Sequence, residues 1–323
     1  MTNDRGEVRL GADPEEWIVC TLFEGDYHFG LAALINSLAR NGFQGCISAG
    51  YRGALPPWIS QLTFSGHDGE YGICPGIRVK FILLETPVHF ANFKPNFMRQ
   101  LIQGQPACKY IWYFDPDIVI HCSWSFYVQW VKYGVALCED VNGAMPENHP
   151  LRCRWIELAS ASGLENPVSL SSYYNAGFVG LPVSCSGFLT LWQDVIGIAA
   201  LHGSNPQAFK TAGWTRTNPF YVCDQDSMNV AAMYSGYPLT TIGPESMDFI
   251  SGGYTMSHAI GSPKPWRKNM VLSALAGLPP SASDKASIAH SSYPIRAYSR
   301  FKLAARLLSC NLGAFIGRFY HRF

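Results

Sequence analysis

The chain has 323 residues, of which 48% are hydrophobic and only 15% are charged, and its formal net charge at neutral pH is +1. This composition excludes a disordered chain, a collagen and a coiled coil, and it provides enough apolar material for a large core. The near-neutral charge argues against a dedicated nucleic-acid-binding protein, which usually carries a strongly basic domain. We therefore expect a globular protein without a nucleic-acid partner.

The predicted elements alternate between strands and helices over the first 140 residues. Strands are predicted at 17–22, 44–50, 78–85, 110–120 and 135–139, and helices at 27–40, 97–103 and 124–132. The first helix has leucines at helical spacing and ends at an Asn-Gly pair, which is a typical helix stop. Such an alternation predicts a two-sided α/β sheet that is largely parallel.

The second half of the chain has a weaker pattern. Residues 141–172 are rich in Pro, Asn and Ser, and we expect them to be irregular. A strand at 173–181 and helices at 184–201 and 224–233 are predicted beyond them. Residues 276–294 are rich in Ala, Ser and Pro and indicate a linker. We expect one catalytic domain over residues 1–275 and a basic, amphipathic extension over residues 295–323.

The extension concentrates the positive charge of the chain. No acidic residue follows Asp284, whereas seven basic residues do, so the rest of the chain has 17 basic against 23 acidic residues. A helix over 295–309 would place four cations on about half of its circumference, namely Arg296, Arg300, Lys302 and Arg306. This pattern favours contact with an anionic membrane surface, and the alternative is a helix that packs on its own domain.

The cysteines and the N-terminal residues bear on localisation. The ten cysteines include no C-x2-C pair, which argues against a zinc knuckle, and several lie in apolar stretches where reduced cysteine packs as a small hydrophobe. Residues 1–16 lack the apolar run of a signal peptide, and no uninterrupted apolar segment approaches the ~18 residues of a spanning helix. We expect a cytoplasmic protein, peripheral on the inner face of the membrane.

The sharpest chemical signal is Asp115-Pro116-Asp117, which interrupts an apolar strand. Two unpaired carboxylates are too costly for a strand interior, and Pro116 breaks a regular ladder, so the pair is expected at the carboxyl end of the strand. Ligands of open α/β sheets bind at that end. Carboxylates there suit Mn²⁺ or Mg²⁺ held against substrate phosphates, and the alternative is a solvated surface turn.

Three weaker signals follow in the chain. Asn175-Ala176-Gly177 begins an apolar strand, Asp224-Gln225 opens a helix, and His258 precedes a loop with Gly261 and Lys264 between prolines. Each has an ordinary structural interpretation, because acidic residues favour a first helical turn and a single histidine is usually structural. The loop could also supply a metal ligand, a close backbone approach and a cation for a phosphate.

In this order the four motifs resemble the retaining GT-A glycosyltransferases of family 8, the group of glycogenin and of bacterial lipopolysaccharide galactosyl- and glucosyltransferases. The matching segments are Tyr113 to Val119, Asn175 to Gly177, Asp224 to Asn229 and His258 to Trp266, and the resemblance covers roughly residues 17–270. It implies a GT-A fold, in which a Rossmann-like, mixed and mostly parallel sheet is flanked by helices. Pro116 and a first loop shortened to FEGDY depart from the family pattern.

The resemblance also implies roles for individual residues. Asp115, Asp117 and His258 would hold Mn²⁺, or Mg²⁺ in its place, against the diphosphate of a UDP-sugar. The remaining donor-binding positions would be Thr21, Tyr27, either Lys94 or Arg99, either Glu139 or Asp140, Asn175, Gly261 and Lys264. Asp224 and Gln225 would be the catalytic pair beside the transferred sugar.

The function that the resemblance implies is a metal-dependent, retaining transfer of a hexose from a UDP-sugar to a glycan or glycolipid acceptor. A nucleotidyltransferase is the nearest alternative enzyme, but it should carry a glycine- and lysine-rich signature after the first strand, where this chain has TLFEGDYHFG. A nucleotide-sugar-binding protein without turnover is the alternative from another class, and the presence of both Asp224 and Gln225 argues against it.

Overall fold

A computed structural model describes residues 16–66, 69–252 and 254–320. Most of the N-terminal stretch used for the signal-peptide expectation lies outside these residues. The strands are β1 (Trp17–Glu24), β2 (Gly45–Arg52), β3 (Thr63–Phe64), β4 (Glu70–Cys74), β5 (Ile77–Leu83), β6 (Tyr110–Phe114), β7 (Ile118–Ile120), β8 (Val135–Ala144), β9 (Ser172–Pro182), β10 (Leu239–Ile242) and β11 (Met256–His258). The helices are α1 (His28–Arg40), α2 (Phe90–Gly104), α3 (Trp124–Trp130), α4 (Pro150–Ala161), α5 (Gly187–Leu201), α6 (Cys223–Tyr234), α7 (Met270–Leu275), α8 (Ala282–Ala289) and α9 (Arg300–Ile316).

Within the described residues, nine strands form one mixed sheet in the order β10-β8-β9-β6-β1-β2-β5-β4-β3. Its centre, β6-β1-β2-β5, is parallel, and β9, β8 and β4 add antiparallel pairs on either side. β7 and β11 form a separate antiparallel pair. The strand order reverses at β1, because the chain proceeds from β1 to β2 on one side and returns to β6 on the other.

The sheet carries an apolar core on each face. Successive side chains of a strand point to opposite faces, so Cys20 and Leu22 of β1 pack with α2, α5 and α6, whereas Val19 and Phe23 pack with α1 and α3. Both faces of the central strands are therefore covered, as near-continuous apolar runs predict. This arrangement leaves the strand ends as the place where polar chemistry can reach solvent.

Two helices differ from their sequence predictions. The helix predicted at 97–103 is α2 and begins at Phe90, with the His89 side chain capping the Ala91 N–H at 3.2 Å. It contains Pro95, whose usual role as a helix breaker concealed the first two turns. The stretch expected to be irregular contains α4, which begins at Pro150, a residue tolerated in the first turn.

The segment expected to be a linker is packed against the domain. Ser281 and Asp284 form a capping box at the start of α8, and α8 packs on α1 and β7. The Asn36 side chain of α1 donates to the carbonyls of His290 and Ile295 at 2.7 and 2.8 Å. Residues 282–295 therefore form a helix and a segment that pack on α1 and β7, which the linker interpretation did not include.

The C-terminal helix also packs on the domain, at a later position than predicted. α9 spans Arg300–Ile316 and contacts α7 and α8, with Cys310 and Gly313 buried in the contact. Its exposed side retains large apolar side chains, including Phe301, Leu308 and Phe315. The observed helix thus combines packing on the domain with an apolar surface that faces solvent.

One helical segment, Val183–Leu201, is long and apolar enough to span a membrane by length and composition alone. In the fold its inner side belongs to the main core, where Phe188, Trp192 and Val195 pack against α2 and α6. We interpret it as a core helix. All ten cysteines are free thiols, and six of them are buried.

Candidate active site

A cavity of about 580 Å³ opens at the carboxyl ends of β1 and β6. These adjacent parallel strands lie where the strand order reverses, which is the usual ligand site of an open α/β sheet. Leu22 and Glu24 line the cavity from β1, and Tyr113 and Asp115 line it from the end of β6. Its volume is within the range of small-molecule sites.

Two carboxylates and an imidazole converge in the cavity. Asp115 and Asp117 flank the turn between β6 and β7, and His258 ends β11, which pairs with β7 so that His258 lies opposite Ile118. His258 Nε2 lies 3.3 Å from an Asp117 oxygen and 3.7 Å from an Asp115 oxygen. Ligand atoms of the three residues all lie within 4.8 Å of one another. The short β7–β11 ladder therefore joins two motifs that are far apart in the chain.

Two lysines, the half-buried Lys264 and the buried Lys94, balance the carboxylates. Lys264 Nζ lies 2.6 Å from Asp117 and 2.8 Å from the Ala259 carbonyl. The loop after β11 therefore folds back over the cluster of Asp115, Asp117 and His258. Burial alone would raise the pKa of Asp117, but Lys264 and His258 outweigh it and hold that pKa well below its usual range. Asp117 is therefore ionised at neutral pH and can act as an acceptor or a ligand.

The second lysine connects the cluster to α6. Lys94 is 3% exposed, and its Nζ lies 3.0 Å from Asp115, 3.1 Å from Asp224 and 3.0 Å from the Ala176 carbonyl. Burial lowers the pKa of Lys94, but Asp115 and Asp224 more than offset this and the pKa lies above its usual value. The lysine is a charged bridge between two carboxylates.

A buried polar network surrounds Asp224 and Gln225. One Asp224 oxygen accepts from Lys94, while the other is buried and has no hydrogen-bond partner among the described residues. Gln225 accepts from the Ala176 N–H at 3.1 Å and donates to Asp140 at 3.2 Å. Asp140 also accepts from Asn175 at 2.7 Å. These contacts hold the α6 N-terminus against β8 and β9, with Asp224 and Gln225 lining the cavity.

The other part of the cavity lining is aromatic and cationic. Tyr27 lies between β1 and α1, with Lys264 Nζ 5.8 Å and the Arg267 guanidinium 6.0 Å from its ring centre. Trp266 packs edge-on against the same ring at 5.2 Å. Gly261 has φ of +83°, which favours glycine, and also lines the cavity. An aromatic face beside two cations can receive a base and a diphosphate.

Most of the predicted site residues lie together. The cavity is lined by Tyr27, Lys94, Asp115, Asp117, Asn175, Asp224, Gln225, His258, Gly261 and Lys264, and Asp140 supports it from behind. Between the two basic candidates, Lys94 lies in the site, whereas the Arg99 side chain donates to Gln193 on α5. Between the two acidic candidates on β8, Asp140 joins the network, whereas Glu139 accepts from Ser172 at 2.6 Å.

Thr21, which the resemblance placed among the donor-binding residues, does not line the cavity. Its side chain is fully buried in β1 and is not among the residues that line the cavity. Leu22, Phe23 and Glu24 at the carboxyl end of β1 reach the cavity, whereas Thr21 precedes them in the strand and is covered. A direct contact of this side chain with a donor would require a change in the strand.

Several structural contributors were absent from the predicted set. A Cβ at Gly177 would overlap the His258 ring, and a Cβ at Gly30 would overlap the Pro116 carbonyl. Both glycines therefore allow close packing of the backbone in the site. Gly177 belongs to the N-A-G motif and could have been inferred from it. Phe209 and Lys210 also line the cavity, from an irregular stretch that showed no pattern.

The three converging residues fit a small divalent cation. Carboxylate oxygens and imidazole nitrogen suit Mn²⁺, and Mg²⁺ also accepts a carboxylate pair when substrate phosphates complete its shell. The buried Nδ1 of His258 has no hydrogen-bond partner among the described residues, while Nε2 faces the carboxylates. The donor set is therefore compatible with a metal centre.

No family model matches the chain, and no curated protein matches it either. Among solved structures, the chain is similar to the apo structure of the bifunctional glycosyltransferase WbbM, at 16% identity and a TM-score of 0.52, over 89% of this chain and 51% of that one. The chain has a glycosyltransferase fold. It also matches GlyE of Streptococcus pneumoniae TIGR4, at 12% identity and a TM-score of 0.49, over 91% of this chain and 64% of that one. The chain thus spans about half of the length of WbbM.

This fold confirms the predicted mixed α/β architecture, with a large, mostly parallel sheet between helices. The similarity is to glycosyltransferases in general. The family-8 assignment and the retaining outcome stay predictions that rest on the sequence motifs.

Proposed function

We propose that this protein is a metal-dependent, retaining glycosyltransferase that moves a hexose from a UDP-sugar to a glycan or glycolipid acceptor. The observation that carries the proposal is the convergence of Asp115, Asp117 and His258 beside Lys264 at the strand ends. A hard cation bound by two carboxylates commonly completes its shell with substrate phosphates. A nucleoside diphosphate sugar supplies such phosphates, and its base would suit the aromatic part of the cavity lining.

The donor would lie along the cavity with its uracil against Tyr27 and its diphosphate near Lys264. Both Lys264 and Arg267 present positive charge next to that ring. When bound at the cluster, Mn²⁺ or Mg²⁺ would neutralise the negative charge that develops on the departing diphosphate. Lys264 would add a fixed cation at the same place, which stabilises a transition state without reorganisation.

Asp224 and Gln225 would face the transferred sugar. The anomeric carbon becomes positively charged and oxocarbenium-like as the diphosphate departs. The Asp224 carboxylate, which lines the cavity, would stabilise this charge, and Lys94 would hold it in place. Gln225 and Asn175 would orient the sugar hydroxyls, because Asp140 and Ala176 already restrain Gln225.

We further propose a cytoplasmic location in which the C-terminal segment contacts an anionic membrane surface. The positive charge after Asp284 and the exposed apolar side chains of α9 support this proposal. A lipid-linked acceptor would then be delivered at the surface to which the enzyme binds.

The test is release of UDP from a panel of UDP-hexoses in the presence of Mn²⁺, without and with EDTA. We expect one donor to be hydrolysed slowly, and we expect EDTA and Asp117→Asn to abolish the reaction. Asp194→Asn, at an exposed position of α5, is the matched control and should retain full activity. Mn²⁺-dependent UDP binding without any turnover would favour a binding protein, and no binding in any condition would overturn the proposal.

A further inference from the structure

A second cavity, of about 370 Å³, lies in the C-terminal segment and shares no lining residue with the active-site cavity. It is enclosed by the Pro279-Pro280 pair, by α8 and by the end of α9. A Cβ at Gly317 would lie 2.5 Å from the Pro279 Cβ, so a glycine is needed for this close approach. Tyr320 Oη donates to the Leu275 carbonyl at 2.9 Å and joins the end of α9 to α7. The walls are therefore held together by direct contacts.

The cavity is positively charged. Lys285 and Arg318 line it, and neither forms an ion pair with any of the described residues. The adjacent carboxylate of Asp284 is already used, because Lys268 Nζ lies 2.7 Å from it and the Ser281 N–H donates to it at 2.9 Å. No acidic residue follows Asp284 in the chain. Two uncompensated cations in a cavity provide a site for an anion.

Exposed apolar side chains lie on the segments next to this cavity. Leu275 and Leu278 are 58% and 66% exposed, and Phe315 and Phe319 near the end of α9 are 55% and 74% exposed. The two phenylalanine rings lie 5.3 Å apart, and the Tyr320 bond holds this end of α9 beside Leu275. Exposed large apolar side chains close to cations are a combination that suits a protein resting on a lipid interface.

The cations of the first half of α9 are less available than those of the cavity. The Arg306 guanidinium donates to the carbonyls of Pro265 and Trp266, and Lys302 Nζ lies over the Phe29 and Tyr298 rings. These side chains are engaged with the domain. The helix face that the sequence predicted to meet lipid is thus partly used for packing, whereas Lys285 on α8 and Arg318 after α9 remain exposed at the second cavity.

We propose that this second cavity binds the phosphate of an anionic phospholipid while Leu275, Leu278, Phe315 and Phe319 enter the bilayer surface. This inference rests on the membrane contact proposed above and gives it a specific site. The charge of the cavity complements a phosphate group, and its apolar rim complements the acyl region directly beneath.

The test is co-sedimentation of the full chain with phosphatidylcholine vesicles that either contain or lack phosphatidylglycerol. We expect binding only to the anionic vesicles, and we expect Lys285→Gln/Arg318→Gln to weaken it by more than about tenfold. The matched control, Lys80→Gln/Lys132→Gln, removes two exposed cations elsewhere and should change binding by less than about twofold. Equal losses in both variants would mean a diffuse attraction of net charge and would overturn the cavity site.

Two further variants and the binding of inorganic phosphate test whether apolar side chains insert into the bilayer and whether the cavity binds only a small anion. Phe315→Ser/Phe319→Ser alters only exposed rings, so it should leave the melting temperature unchanged and still reduce vesicle binding; unchanged binding would overturn the proposed insertion. Asp117→Asn should bind vesicles as the unaltered chain does, which keeps this test independent of catalysis. If Lys285→Gln/Arg318→Gln weakens the binding of inorganic phosphate but not of vesicles, the cavity is a small-anion site and the lipid proposal fails.

Discussion

Lys94 provides the most informative perturbation of the site, because it bridges two carboxylates in a nearly dry environment. Its Nζ lies 3.0 Å from Asp115 and 3.1 Å from Asp224, and its side chain is 4% exposed. Coulomb's law with an effective dielectric constant of 20 gives about 5 kcal/mol of attraction per pair at this distance. The desolvation of the ammonium group offsets part of this attraction, so the net effect is smaller than the sum of the two pairs.

Lys94→Met keeps most of the side-chain volume and removes the charge. We expect the free energy of unfolding to fall by about 3–5 kcal/mol, which is the usual cost of leaving a buried charge without its partner. Urea denaturation followed by circular dichroism measures this change. We also expect UDP release to fall by at least about tenfold, because Asp224 loses the contact that positions it.

A double-mutant cycle isolates the bridge from the general effect of the substitution. In the Asp224→Asn background, Lys94→Met should cost about 2 kcal/mol less than it does in the unaltered chain, because one of the two carboxylates is already neutral. Asp194→Asn serves as the control background and should show no coupling. Additive effects of Lys94→Met and Asp224→Asn, within about 0.5 kcal/mol, would refute the view that the lysine is held by both carboxylates.

Three other perturbations have defined outcomes. Burial raises the pKa of Asp226 to about 7, so the folded state binds this proton more tightly than the unfolded state, and the stability that the proton contributes at low pH should be lost as the pH rises from about 4 to about 7. In urea titrations at a series of pH values, Asp226→Asn should reduce this loss of stability by about 3–4 kcal/mol. An unchanged dependence of stability on pH would contradict this prediction. Gly177→Ala should displace the His258 ring and lower Mn²⁺-dependent UDP binding by about tenfold or more in calorimetry, with unchanged affinity as the opposing result. Arg306→Gln removes hydrogen bonds from α9 to the loop after β11 and should weaken UDP binding by about fivefold, whereas Arg300→Gln on the same helix should not; equal effects would indicate a general loss of the helix.

The position of the two aspartates at a strand end could be predicted from the sequence, because the signal is local and chemically costly. Two aspartates within an apolar strand had to lie at a strand end, and they do. The argument about buried carboxylates does not predict that His258 lies beside Asp117, because it gives no information on how β11 pairs with β7. That expectation depended on the family resemblance, and the observed distances agree with it.

The remaining differences have physical causes in tertiary packing. The sequence left Lys94 and Arg99 as alternatives, because Pro95 obscured the true start of α2 and therefore the face on which each residue lies. The linker interpretation of 276–294 followed from composition. Composition cannot predict tertiary hydrogen bonds such as those from the Asn36 side chain to the His290 and Ile295 carbonyls. Thr21 was placed by motif position alone, and in the fold its side chain is fully buried in β1 and does not line the cavity.

The central claim is that Asp115, Asp117 and His258 bind a divalent cation together with a nucleoside diphosphate. Isothermal titration of UDP into the full chain, with and without Mn²⁺, tests it most directly. The account predicts that binding requires Mn²⁺, is lost in Asp117→Asn and persists in Asp194→Asn. UDP binding of equal strength without the metal, or in Asp117→Asn, would contradict the account.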